Sequence, residues 1–263
     1  MRAYLSVFIM RLRMELQYRG AMIGGILCQM FFGLVLIAIY RALYETKAQS
    51  IPFENVATYV WLQQAFFRMM LAIDNELVDK IKSGDIAYDM CRPVNMYGFY
   101  YARIMAQKVM GSLMRAVPML ILAVLLPKGW GIGAPVSLLN LIAAIPALIL
   151  GLLCVCALSN ITMAFTMLTL DARGMQGLLN LLMMTFSGNL LPLTLFPDRW
   201  QKFITLIPYA QLLDAPIRLY TGDYALSEVI RVYAVQVFWI VALIMLGVYM
   251  WNVNKKRLIV QGG

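Results

Sequence analysis

Long apolar stretches alternate with short polar segments along the chain, and this pattern predicts membrane-spanning helices. A helix of about 20 apolar residues crosses the ~30 Å hydrocarbon core of a bilayer. Six stretches of this kind occur, at about 21–43, 56–73, 100–126, 135–170, from 175 onward, and 229–251. The pattern predicts an all-α membrane protein with six transmembrane helices in a single domain, 1–263.

Ahead of the first stretch, residues 1–19 predict a helix with one apolar face. The apolar positions recur at helical spacing and are Leu5, Phe8, Ile9, Leu12 and Leu16. Charged and polar residues flank this stripe, which is typical of an amphipathic helix that lies in the membrane interface. A helical lead-in to the first span is the alternative.

The polar segment 74–97, between the second and third spans, predicts two short helices. Gly84 is placed to end the first helix, and Asp85 is placed to cap the second before Arg92 and Pro93 stop it. The first helix carries a small apolar stripe formed by Leu77, Val78 and Ile81. A helix this short is marginal alone, so we expect it to insert into a groove of another cytoplasmic protein. A solvated loop with helical tendency is the alternative.

Glycine and proline interrupt an otherwise apolar stretch over 186–227, between the fifth and sixth spans. The interrupting residues are Gly188, Pro192, Pro197, Pro208 and Pro216. Proline at this frequency excludes one straight helix. The pattern favours two short helices that form a re-entrant hairpin, which a membrane tolerates where protein covers the broken backbone. An ordinary extramembrane loop is the alternative.

Composition supports the membrane interpretation and limits the chemistry. The 263 residues are 62% hydrophobic and 13% charged, whereas soluble domains are about 45–50% apolar and about 25% charged. The chain has no histidine, which excludes Ser-His-Asp and Cys-His catalysis and His-ligated zinc in their usual forms. The spacing of the four cysteines matches neither a disulfide framework nor a metal knuckle. No metal site is predicted.

The net charge of +9 is explained by membrane orientation rather than by nucleic-acid binding. With six spans, both termini share a side with the loops after spans two and four. Most basic residues fall on that side: Arg2, Arg11, Arg13, Arg19, Arg68, Lys80, Lys82, Arg92, Arg103, Lys108, Arg173, Lys255, Lys256 and Arg257. The positive-inside rule therefore predicts that both termini are cytoplasmic.

Two short motifs give the chain a resemblance to a known family. The first follows the second span and reads Ile81-x-x-Gly84-x-Ile86-x-x-x-Met90-x-Arg92-Pro93. The second precedes the last span and contains Ser187-Gly188, Leu191-Pro192, Phe196-Pro197 and Pro208. Together with the amphipathic start, they resemble the ABC-2 type permeases, the membrane subunits of ATP-binding-cassette exporters. The chain departs from that pattern at Met90-Cys91, where leucines are more usual.

The resemblance implies the permease subunit of an ATP-driven exporter in a bacterial cytoplasmic membrane. Two permeases, identical or related, would pair around a path for an amphipathic, drug-like, peptide or lipid-like cargo, in contact with membrane lipid. Cytoplasmic ABC ATPase subunits would bind ATP and Mg, and this chain would hold no cofactor. Consistent with this, it has no phosphate-binding loop of the G-x-x-x-x-G-K-[ST] type, and we expect no enzymatic activity of its own.

The resemblance also implies which residues contact the ATPase. Besides the 1–19 helix, they are Glu76, Leu77, Val78, Lys80, Ile81, Lys82, Gly84, Asp85, Ile86, Arg92 and Pro93.

Polar residues within spans are costly and are candidates for a cargo path. They are Gln29, Gln63, Gln64, Arg115, Asn180 and Asn189. Interhelical hydrogen bonding is the alternative for the amides, and a salt bridge or a lipid-phosphate contact is the alternative for Arg115.

A second function class, an intramembrane lipid-modifying enzyme, would use the acidic residues at 74–89. These are Asp74, Glu76, Asp79, Asp85 and Asp89, but lysines lie between them and their spacing matches no familiar signature. A secondary transporter or channel usually shows inverted repeats or several buried acids within its spans. Neither is evident in the sequence.

Overall fold

The computed structural model of the chain describes residues 2–17, 19–46, 51–71, 74–189 and 192–255. Sequence predictions also concern positions outside these ranges, including Met1 and Tyr18 of the helix predicted over 1–19, the end of the second span at 73, Leu191 of the proline-containing motif, and the basic pair Lys256 and Arg257.

The described part of the chain is helical and contains no strand. Its α-helices are α1 Arg2–Glu15, α2 Arg19–Thr46, α3 Phe53–Leu71, α4 Asn75–Ser83, α5 Ile86–Met90, α6 Met96–Leu125, α7 Leu138–Thr169, α8 Arg173–Phe186, α9 Asp198–Ile204, α10 Asp214–Thr221 and α11 Val229–Asn254. Short 3₁₀ turns at Leu193–Leu195, Pro208–Gln211 and Leu226–Glu228 connect the last four helices. The predicted all-α fold is confirmed.

Four helices within the described ranges are long and apolar enough to cross a membrane. They cover Met22–Thr46, Met96–Leu125, Leu138–Thr169 and Leu226–Asn254. The predicted second span corresponds to α3, which has 19 residues but carries charged and amide side chains. The predicted fifth span corresponds to α8, whose 14 residues rise only about 21 Å at 1.5 Å per residue. The chain is therefore a multi-pass membrane protein, with four candidate spans among the described residues, and the count of six stays a prediction.

Helix α7 lies at the centre of the bundle, and half of its most apolar 18-residue window is buried inside the protein. Small residues on α7 allow close approach of its neighbours. At Gly151 a side chain would collide with the backbone oxygen of Leu212, just before α10. Gln236 of α11 donates hydrogen bonds of 2.9 Å to the carbonyls of Ala147 and Gln211. One amide thus joins α11 to both α7 and the segment between α9 and α10.

Local sequence signals set several helix ends. Asn95 accepts a 3.0 Å hydrogen bond from the amide of Gly98 at the start of α6, and Ser137 accepts one of 3.2 Å from Asn140 at the start of α7. Gly84 ends α4 in the left-handed conformation, with φ of 84°, which glycine adopts without steric cost. The capping role predicted for Asp85 is wrong. Its carboxylate accepts a 2.8 Å hydrogen bond from Ser83 instead of capping α5.

Helix α1 packs along α6 through a face that differs from its apolar stripe. Val7 and Arg11 are the buried residues of α1, whereas Leu5, Ile9 and Leu16 remain exposed on the protein surface. Phe8 and Leu12 of the same stripe are half-buried, and the location of this helix in the membrane interface stays a prediction. The helix ends at Glu15, and α2 begins at Arg19, so it is shorter than the predicted 1–19.

Candidate functional site

The segment between α3 and α6 folds as the two short helices α4 and α5. Asp74 caps α4 by accepting a 3.3 Å hydrogen bond from the amide of Leu77. The predicted apolar stripe of this helix turns inward: Leu77, Val78 and Ile81 are buried, as is Ile86 of α5. They share a core cluster with Tyr100, Met163 and Trp251 of the long helices. The stripe therefore docks the segment onto this chain and does not project outward.

A first group of ion pairs joins α1, α4 and α6. Arg103 of α6 bonds both Asp74 and Glu76, and it is nearly fully buried. Arg11 of α1 lies 3.1 Å from Glu76, 3.6 Å from Asp74 and 3.5 Å from Glu15. Burial alone would raise the pKa of Glu76, but its hydrogen bond from Arg103 and the charge of Arg11 outweigh that effect, so the pKa is lowered. Arg103 and Arg11 thus join α6 and α1 to the start of α4.

A second group of polar contacts surrounds Asp89 of α5. Its carboxylate accepts hydrogen bonds of 3.0 Å from Lys80 and 2.7 Å from Tyr100 and lies 3.2 Å from Arg92. Burial would raise the pKa of Asp89, but the Tyr100 bond and the Lys80 ammonium outweigh it and lower the pKa. Tyr100 also stacks on Trp251, with ring centroids 5.4 Å apart. Asp89 thus links α4 and α5 to α6 and, through Tyr100, to α11.

The outer surface of the segment is polar except for one aromatic ring. Tyr88 is 78% exposed, although a tyrosine is often partly covered in a folded protein. Around it, Lys82, Asp85, Arg92 and Pro93 are exposed. Lys82 lies 4.0 Å from Asp171, between α7 and α8. Tyr88 is not among the predicted contact residues. The sequence feature that could have indicated it is a single aromatic residue on a short polar helix.

The acidic residues of this segment do not gather into one site. Asp74 and Glu76 belong to the Arg103 group, and Asp89 belongs to the Lys80 group. Asp79 and Asp85 are exposed. Among the described residues, no group of three Asp, Glu, Cys or His side chains could hold a metal ion. The arrangement offers no support for acid-assisted chemistry at 74–89.

Three of the predicted path residues meet at one crevice. Gln63 and Gln64 of α3 and Asn189, just after α8, line it together with Tyr59 and Pro192. Gln63 donates a 2.8 Å hydrogen bond to the carbonyl of Ser187. The remaining three lie elsewhere. Gln29 is buried on α2, Asn180 is half-buried on α8, and Arg115 lines a separate polar cavity beside α1.

Beside this crevice, a buried pair connects α3 to the segment after α8. Tyr59 donates a 2.6 Å hydrogen bond to Asp214 of α10, and Arg218 lies 3.9 Å from the other carboxylate oxygen. The sequence gives no signal for this contact, because 155 positions separate the two residues. Helix α3 therefore contacts the segment 186–227 at one end and leads into α4 at the other.

A larger cavity of about 570 Å³ lies between α3, α6, α7 and α10. Its walls are almost entirely apolar and include Leu62, Phe66, Leu148 and Ile217. Tyr220 supplies a hydroxyl at its wall and donates a 3.1 Å hydrogen bond to the carbonyl of Gly133. A cavity with this lining suits the apolar part of an amphipathic molecule.

The chain matches a known protein family over most of its length. A family model described as ABC-2 family transporter protein matches residues 25–262. No curated protein matches the chain. The matched region covers every described helix from α3 onward and most of α2.

Proposed function

The chain belongs to the ABC-2 family of transporter proteins, and we propose that it is the permease subunit of an ATP-driven exporter. Members of this family are membrane components of transporters and associate with an ABC ATPase. That partner would bind ATP and Mg, and its hydrolysis of ATP would drive transport. This chain would move cargo outward across a bacterial cytoplasmic membrane without catalysing a reaction itself.

Six spans, as the sequence predicts, would place both termini in the cytoplasm. Helices α3 and α8 would supply the second and fifth spans beside the four long helices. Because α8 is too short to cross alone, the apolar segment 186–227 would complete that half of the bundle as a re-entrant hairpin. Its two short helices, α9 and α10, and its proline-containing turns support this reading.

The contact with the ATPase would be made by the exposed face of α4 and α5. The main support for this proposal is that the segment is anchored to its own chain by buried apolar residues and two groups of ion pairs. Its outer face nevertheless presents the exposed ring of Tyr88. A large aromatic ring that is rigidly presented is a typical anchor for a partner's pocket. Leu77, Val78, Ile81 and Ile86 would then act indirectly, by holding the segment in place.

Helix α3 is placed to transmit motion from the ATPase to the opposite side. Its last turn is tied to α6 by Lys108, which donates a 3.0 Å hydrogen bond to the carbonyl of Met69. Its first half reaches α10 through Tyr59 and Asp214. Movement of α4 and α5 would therefore reach the re-entrant segment along one rigid element.

The cargo proposed is amphipathic: drug-like, peptide or lipid-like. The apolar cavity suits the apolar part of such a cargo. The crevice at Gln63, Gln64 and Asn189 is closed in this structure and would have to open to contact the polar part. Gln29, Asn180 and Arg115 lie apart from that crevice, so their role in a cargo path rests on pairing with a second permease, identical or related.

Truncation of the exposed ring tests the proposed contact. Tyr88→Ala is expected to weaken binding to the cognate ATPase by about thirtyfold, since truncation of an anchor residue costs about 2 kcal/mol or more. The melting temperature should stay near that of the wild type, because the ring packs on nothing that its removal would disturb. Tyr249→Ala, another exposed tyrosine on α11, is the matched control and should leave association unchanged. Equal ATPase binding by the wild type and Tyr88→Ala would remove the support for this contact.

A further inference from the structure

A polar cavity of about 210 Å³ lies between α1, α2, α3 and α6, apart from the crevice at Gln63 and from the apolar cavity. Its charged lining consists of Arg11, Arg68, Arg115 and Glu15. Gln107 and Gly111 of α6 complete the polar side, and Met22 and Met114 form an apolar wall. Three guanidinium groups thus face one cavity together with a single carboxylate.

Arg115 and Arg68 each lie against a glycine. A side chain at Gly25 of α2 would collide with the guanidinium group of Arg115. At Gly111, an added Cβ would lie 3.6 Å from Nε of Arg68. The guanidinium groups therefore lie directly against the backbones of α2 and α6.

Within the described ranges, the ion pairs of the nearby carboxylates involve Arg11 and leave out the guanidinium group of Arg68. Arg11 is held by Glu15, Asp74 and Glu76 at 3.1–3.6 Å. Among the described residues, Arg68 makes no ion pair with any of these acids. A guanidinium group in a half-buried setting gains most from an anion that accepts two parallel hydrogen bonds, and phosphate has that geometry. The cavity is several times the ~30 Å³ of a water molecule, which leaves room for a phosphate ester.

The surroundings of the cavity favour a lipid as the source of the phosphate. On α2, next to the cavity, Ile23 and Leu27 are exposed and would face the bilayer. Helix α1 presents its own exposed apolar stripe on the same side of the membrane. In the proposed orientation this is the cytoplasmic leaflet, where anionic lipids attract basic residues.

We propose that this cavity binds the phosphate group of an anionic phospholipid of the cytoplasmic leaflet, with Arg68 and Arg115 as its principal ligands. The bound lipid would fix α1 against α2 and α6. Because Arg11 of α1 also holds Asp74 and Glu76, the lipid would steady the segment that contacts the ATPase. The side of the membrane rests on the proposed orientation, whereas the binding itself does not require an ATPase.

Lipid binding to the purified full-length chain in a neutral detergent provides the test, by native mass spectrometry and by thermal melting. Phosphatidylglycerol is expected to bind and to raise the melting temperature, phosphatidylcholine to bind more weakly, and inorganic phosphate to have little effect. The double variant Arg68→Gln, Arg115→Gln should bind phosphatidylglycerol at least about tenfold more weakly, since hydrogen bonds to charged groups are the stronger ones. Arg41→Gln, which removes one positive charge from an exposed position of α2 away from the cavity, is the control and should bind normally.

A second variant keeps the charge and changes only the shape. Gly25→Ala displaces the guanidinium group of Arg115 and should weaken binding of phosphatidylglycerol, whereas Gly24→Ala, whose added Cβ meets open space, should not. Equal binding of the two lipids, or wild-type binding by both the arginine double variant and Gly25→Ala, would overturn the proposal. Saturation by inorganic phosphate alone would instead identify a site for free phosphate. None of these outcomes bears on ATPase association, so the transport proposal is tested separately.

Discussion

At the scale of single residues, two kinds of buried side chain hold the segment of α4 and α5 in place: apolar residues and carboxylates. Its apolar residues need a core, and the chain supplies one between α6, α7 and α11. Its buried carboxylates need hydrogen-bond donors and positive charge, and Asp89 accepts hydrogen bonds from Lys80 and Tyr100. Because a buried charge without a partner costs several kcal/mol, these contacts fix the segment in one position.

The pKa of Asp89 gives a pH dependence of stability with a definite sign. Its folded-state pKa is lowered from the ordinary 3.8, so the unfolded state binds the proton more tightly. The stabilisation is therefore complete above the unfolded value and is lost as the pH falls from about 5 through the folded-state pKa. Asp89→Asn is expected to destabilise the protein by roughly 1–3 kcal/mol at pH 7.

Thermal melting of the purified protein from pH 7 to pH 3 checks this prediction. The difference between the wild type and Asp89→Asn should be largest at neutral pH and should shrink at the acid end. Asp79→Asn, an exposed acid on α4, is the control and should differ little from the wild type at any pH. Matching curves for the two variants would contradict the role given to Asp89.

At the scale of elements, the junction after α8 joins three parts of the molecule. Gly188 follows α8 with φ of 77° and lies against the Tyr59 hydroxyl of α3, which in turn bonds Asp214 of α10. Only glycine satisfies both the backbone conformation and the close approach. The turn therefore sets where the segment 186–227 begins relative to α3.

Substitution of this glycine should be more damaging than substitution of another with the same backbone conformation. Gly188→Ala is expected to cost about 2–5 kcal/mol, because it adds a left-handed strain of roughly 1–2 kcal/mol to a collision with Tyr59 and crowding of Asp214. Gly129 has φ of 83° and open space around it, so Gly129→Ala should cost only the strain. Melting temperatures of the two variants compare them directly. A similar decrease in melting temperature for both variants would show that the close approach of Gly188 to Tyr59 does not affect stability.

At the scale of the whole molecule, the membrane topology is predicted from two features: the uneven distribution of basic residues along the sequence and the arrangement of the helices. In the proposed six-span arrangement the segment of α4 and α5 is cytoplasmic, and the loop between α6 and α7 lies outside. Both carry positions exposed on the protein: Cys91 just after α5 and Lys128 just after α6. Their accessibility in cells therefore reports the orientation.

Labelling with a membrane-impermeant maleimide provides the measurement. Native Cys91 should react only after the membrane is opened, and a cysteine introduced by Lys128→Cys in a Cys91→Ser background should react in intact cells. The Cys91→Ser chain alone is the control for reaction at the remaining native cysteines. Labelling of Cys91 in intact cells would show that the proposed orientation is wrong. Labelling of both positions from the same side would show that the chain crosses the membrane an even number of times between them, which contradicts the proposed topology.

The sequence by itself determined the helical class, the positions of the long helices and the break at Gly84, because these depend on local hydropathy and on backbone preferences. It also gave the family, through short motifs. Only the tertiary structure decided which way side chains face. Leu77, Val78 and Ile81 form a stripe that could equally meet a partner or this chain's own core, and periodicity cannot distinguish the two. The contacts of Tyr59 with Asp214 and of Arg103 with Asp74, and the exposure of Tyr88, depend on how distant helices pack, which no local pattern records.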